Sequence, residues 1–141
     1  MPWYWIFTTL AWSVTIFVTV RGERDARIAM WTLVAGSLLT AVFFVLGGKD
    51  WLRIHWMIFA VDGTAFLILL RIAVHSKRIW PMPVAALQFF PVLTPAVVAY
   101  GGSLESYAIG VTQALPIYAQ YTILLVATVR HQLRLRTQTP N

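Results

Sequence analysis

One carboxylate sits where a carboxylate is expensive. Asp62 lies in an apolar stretch running from Leu52 to Val74. It is roughly ten residues in, which at 1.5 Å per helical residue is about 15 Å deep. An ionised carboxylate near a bilayer midplane costs about 2.5–3.5 kcal/mol on insertion scales. Asp62 must therefore face a bundle interior or a hydrated cavity, be protonated, or accept hydrogen bonds. Partners expected at similar depth are Ser37 and Thr40 in the second apolar stretch and Gln113 and Gln120 in the last. Two uses follow. Polar side chains commonly join transmembrane helices at modest energies, and an intramembrane acid can also form part of a proton or ion path. The first is preferred, because proton relays usually carry several acids and only one is buried here. His55, seven residues before Asp62, falls on nearly the same helical face about 10 Å away. It suits either an outer access point to Asp62 or, as expected, an ordinary interfacial histidine between Trp51 and Trp56.

Other chemistry is thin. Pro91, Pro95 and Pro116 each remove a backbone hydrogen bond and are expected to kink their helices. Gln88, Gln113 and Gln120 lie close enough to help the freed carbonyls hold a ligand. Gln113, Pro116 and Gln120 form one polar stripe, read first as a packing surface and second as a binding groove. Thr8, Trp12, Thr15 and Thr19 share a face whose hydroxyls can bond the helix's own backbone. Haem or chlorophyll ligation needs a histidine within a helix. His55, His75 and His131 all fall at expected helix ends, so axial ligation is not expected, and no cofactor is assigned. With no cysteine, no metal-ligand spacing, no phosphate-cradling glycine loop and no Ser-His-Asp arrangement, neither a metal site nor an enzyme is expected.

The elements that position these residues are legible from hydropathy. The 141 residues are 59% hydrophobic and 11% charged, with mean hydropathy +0.70. Soluble domains carry about 25% charged residues. Five apolar spans are expected, over about residues 3–20, 28–46, 52–74, 84–100 and 107–129, each near the roughly 20 residues a helix needs to cross hydrocarbon. The expected fold is all-α, a polytopic transmembrane helix bundle forming a single domain. A net charge of +6 would suggest nucleic acid in a soluble chain. Here the cations lie in short clusters between apolar runs, so lipid headgroups are the expected partner and nucleic acid is not.

Those clusters also set orientation. With the N-terminus outside and the C-terminus inside, the cytoplasmic side receives Arg21, Arg24, Arg27, Lys77, Arg78, Arg130, Arg134 and Arg136. The outer loops keep Lys49 and Arg53, as the positive-inside rule requires. Trp3, Tyr4, Trp5, Trp51, Trp56, Tyr100 and Tyr107 would form an outer aromatic belt, with Trp31 and Trp80 marking the inner one. Arg130, Arg134 and Arg136, interleaved with Leu133 and Leu135, would dock on anionic headgroups.

Val61-Asp62, Arg78-Ile79-Trp80-Pro81 and Ala86-Leu87-Gln88 together resemble a pattern in small uncharacterised multi-helix membrane proteins of alphaproteobacteria. The resemblance covers mainly the third and fourth spans and implies a bacterial inner-membrane location. In that pattern a histidine often follows the threonine corresponding to Thr94. Pro95 stands there in this chain, so any role of that histidine is lost.

Three functions are carried forward. Small size, short loops and few buried polar groups favour an accessory subunit of a larger inner-membrane assembly, of photosynthetic or respiratory type. The alternative is a small homo-oligomeric transporter or proton-conducting protein centred on Asp62, Gln88, Gln113 and Gln120. The third is a pigment-, quinone- or lipid-binding protein using the proline-containing helices as a groove.

Overall fold

A computed structural model describes the backbone of residues 2–47, 51–100 and 106–138, and the side chains of 5–47, 54–98, 100 and 113–138. The described residues are overwhelmingly helical, with no strand among them. Among the described residues the five helices are α1 (Pro2–Arg21), α2 (Arg24–Leu46), α3 (Trp51–His75), α4 (Pro81–Ala99) and α5 (Ser106–Thr137). Three stretches are long and apolar enough to cross a membrane, at Arg24–Leu46, Ile54–His75 and Pro81–Val98. A shorter apolar stretch covers Trp5–Arg21. This is a membrane protein by composition and by element length.

Two boundaries differ from the sequence reading in an informative way. α4 begins at Pro81 rather than after Pro83. A first-turn N–H has no partner within the helix, so proline costs nothing there and its fixed φ favours the start. α5 continues past Val129 through the basic tail to Thr137. Its 32 residues reach about 48 Å at 1.5 Å each, well beyond a hydrocarbon core of about 30 Å. The last turns therefore carry Arg130, Arg134 and Arg136 as a helical extension. α4 and α5 both stay continuous through Pro91, Pro95 and Pro116.

The helices are threaded so that three distant segments share one end. Glu23, between α1 and α2, lies 3.5 Å from Arg78 and 3.9 Å from His131 of α5. The C-terminal carbonyls of α1, which have no partner inside their own helix, are capped from elsewhere. Arg27 Nε donates to the Gly22 carbonyl at 2.9 Å, and Gln132 Nε2 to the Arg21 carbonyl at 2.6 Å.

The apolar core lies in the half of the bundle nearest that basic end. It joins Val18, Met30, Leu33, Leu69, Val84 and Leu124 from all five helices. Core residues recur at helical spacing, as Ile58, Ala65, Leu69 and Ala73 do on α3, forming the inward stripe expected of a packed helix. Asp62 falls on that stripe. Toward the far end α2 loses its cover, with Val45 and Leu46 almost fully exposed. The apolar faces left uncovered include Trp5 and Trp56. Trp31 is also exposed, whereas Trp80 is half-buried. The side chains of Trp3, Tyr4, Trp51 and Tyr107 lie outside the described residues.

Candidate functional site at Asp62

A polar ladder crosses three helices just beyond the apolar core. Gln120 of α5 is fully buried. Its Nε2 donates to the Val84 carbonyl of α4 at 2.9 Å and to Gln88 Oε1 at 3.0 Å. Gln88, itself 4% exposed, turns its own Nε2 toward Asp62 Oδ1 of α3 at 3.4 Å. The last contact is long for an N–H···O bond, which favours about 2.9–3.0 Å. Gln120 Oε1 is buried with no protein partner among the described residues.

Local sequence explains why these side chains meet. On α5, Pro116, Gln120, Leu124 and Thr128 are all buried at four-residue spacing, so one ridge faces α4. On α4, Val84, Ala85, Gln88, Pro91 and Thr94 form the matching buried face. Pro91 cannot donate to the Leu87 carbonyl, which leaves an acceptor one turn below it.

Asp62 also borders a cavity of about 160 Å³, walled by α2, α3, α4 and α5. Thr32, Ser37 and Thr40 face it from α2, Gln88 from α4 and Gln113 from α5. It has room for several water molecules and polar groups to hold them. Leu33, itself 4% exposed, also lines it. Thr32, Gly36 and Ala65 are shared with an open apolar groove of about 660 Å³ between α2 and α3.

The structure thus brings Asp62, Gln88 and Gln113 around one cavity, with Gln120 tied to it through Gln88. Ser37 and Thr40 line the same cavity, while Gln88 supplies the hydrogen bond to Asp62. His55 lies apart, beside Trp56, Phe59, Pro95 and Ala96 in a crevice of about 10 Å³. The threonine face of α1 behaves as its chemistry suggested. Thr15 and Thr19 donate to the carbonyls four residues back at 2.8 and 2.7 Å, and Thr15 also reaches Met30 Sδ at 3.7 Å. At the position where the resembling pattern has a threonine, Thr94 donates to the Phe90 carbonyl at 3.0 Å, with buried Pro95 after it.

The sequence reading passed over Glu23. Its carboxylate accepts from the Trp80 indole at 2.9 Å and contacts Arg78 and His131. The available signal was an acid set among Arg21, Arg24 and Arg27, with Asp25 nearby, at a mostly cationic end.

Chemically, a carboxylate on a water-sized cavity can take up and release a proton or hold a small cation. The amides of Gln88 and Gln120 do not titrate in the physiological range, so they can orient Asp62 but cannot pass protons onward. Any proton must travel through the cavity. Among the described residues no cluster of three His, Cys, Asp or Glu could hold a metal ion. Compared with known protein families, curated proteins and solved structures, the chain matches none of them.

Proposed function

We propose that the chain is a five-span protein of a bacterial inner membrane, N-terminus outside and C-terminus inside, in which Asp62 takes up a proton or small cation on a path across the bilayer. The observation that carries this is Asp62 itself, an acid aligned with the core stripe of α3 that borders a cavity rather than packed side chains. A carboxylate serving only as interhelical glue would be enclosed by donors, whereas Asp62 has one long contact and space beside it. Five spans leave little room for a gated path within one copy, so the working form is a homo-oligomer. Proton and monovalent-cation flux in proteoliposomes tests the reading. Wild-type flux should collapse in Asp62→Asn while the detergent elution profile stays unchanged. Equal flux in both proteins would refute it.

A second reading has its own support. The α2–α3 groove is apolar, about 660 Å³ and bounded by Trp31, Leu39 and Ile68, a shape suited to a neighbouring transmembrane helix. On this reading the chain is an accessory subunit of a photosynthetic or respiratory type of assembly. Native mass spectrometry of the chain purified from its own membrane separates the two. Unlike subunits in fixed stoichiometry support the accessory role, and a lone chain or homo-oligomer supports transport.

A further inference from the structure

The basic end contains a second hollow that the Asp62 reading does not use. It measures about 200 Å³ and brings together Lys77 and Arg78 from the α3–α4 turn with Arg130, His131 and Arg134 from α5. Glu23 reaches it from the α1–α2 junction. Four full cations thus face one carboxylate, and that carboxylate is already engaged. One Glu23 oxygen accepts from Trp80, and the other lies against Arg78 and His131. Glu23 therefore acts as the tie that draws the α3–α4 turn against α5. Among the described residues, Lys77, Arg130 and Arg134 form no ion pair.

Cations held together this way repel one another, and an anion between them relieves that cost. Guanidinium forks match phosphate oxygens in charge and in geometry. Exposed Ile79 lines the hollow from the α3–α4 turn. Exposed Met82 follows in the first turn of α4, and both are apolar side chains of the kind acyl chains would lie against. Basic hollows between transmembrane helices on the cytoplasmic side are known lipid-headgroup sites.

We propose that this hollow binds the phosphate group of an anionic phospholipid, through Lys77, Arg78, Arg130 and Arg134. The site differs from the tail-only reading of the sequence. Arg136 is outside the hollow, while Lys77 and Arg78 from another segment belong to it.

The test is native mass spectrometry of the delipidated full chain titrated with phosphatidylglycerol or phosphatidylcholine. Lys77→Gln, Arg130→Gln and Arg134→Gln are compared with Arg24→Gln and Arg136→Gln. These last two remove exposed cations of the same end that do not line the hollow. Wild type should retain phosphatidylglycerol in preference to phosphatidylcholine. Each hollow substitution should weaken that retention about fivefold, with the two control variants unchanged. Equal losses across all five variants would mean a diffuse positive surface and overturn the site. A final arm adds inorganic phosphate alone. Saturable phosphate binding that displaces the lipid and shows the same residue dependence would overturn the lipid assignment in favour of a soluble anion.

Discussion

The Gln88–Gln120 contact offers the sharpest quantitative check, because both amides are buried and the bond joins two helices. Gln120→Leu keeps the volume roughly constant while removing both Nε2 bonds, to Val84 and to Gln88. Interhelical hydrogen bonds in membranes average about 0.6 kcal/mol and reach about 1.7 kcal/mol. Two lost bonds therefore predict a destabilisation of about 1 to 3 kcal/mol. The change also removes Gln120 Oε1, a buried acceptor without a protein partner, whose desolvation costs about 1–3 kcal/mol when unpaired. That gain offsets the loss, so the single variant should fall near neutral. Its stability alone thus says little. Gln88→Leu removes the same amide–amide bond from the other side, together with the long Asp62 contact. In a double-mutant cycle with Gln120→Leu the unshared terms cancel. The remaining coupling should be about 0.6 kcal/mol and no more than about 1.7 kcal/mol. Equilibrium unfolding in mixed micelles of dodecyl maltoside and sodium dodecyl sulfate measures it. A coupling of zero, with both singles at full cost, would show that the ladder is not hydrogen-bonded as described.

Other consequences are simpler. Leu124→Ala empties a fully buried core position and should cost about 2–5 kcal/mol in the same unfolding assay. Gly22→Ala would bring a Cβ to 2.4 Å from the Val18 carbonyl oxygen. The α1–α2 junction must then shift, and the unfolding midpoint should fall more than for Gly63→Ala, where nothing lies within 4 Å. Trp80→Phe deletes the indole donor to Glu23 and should cost about 1 kcal/mol, with most of that loss absent in a Glu23→Ala background. Because the chain has no cysteine, single-cysteine labelling reads topology cleanly. With the five-span orientation, Thr137→Cys should react with an impermeant maleimide only after the membrane is opened, and Ser103→Cys should react in intact cells. Reaction of both from the same side would overturn it.

Hydropathy and length alone were enough to predict five helices, because an apolar run of about 20 residues has one stable form in hydrocarbon. The placement of Asp62 in the interior of the third helix also followed from counting residues, as did the shared stripe of Gln113, Pro116 and Gln120. How the helices rotate and which ones touch did not follow. A helix facing lipid on one side and protein on the other is apolar all round, so periodicity carries little of the usual signal about its inner face. That is why Ser37, Thr40, Gln113 and Gln120 all qualified beforehand as partners of Asp62, while packing selected Gln88 for the bond and set the others around or behind the cavity. His55 shows the same limit. It shares a helical face with Asp62, yet α4 brings Pro95 and Ala96 against it and leaves it outside the polar site. Glu23 marks the opposite case. Its sequence neighbours are Gly22 and Arg24, and only folding delivers Trp80 and His131, 57 and 108 positions away, to its carboxylate. Residue type and spacing determined which side chains could do chemistry in this membrane protein. Helix rotation and lateral order, set by close packing between helices rather than by hydrophobicity, decided which of them meet.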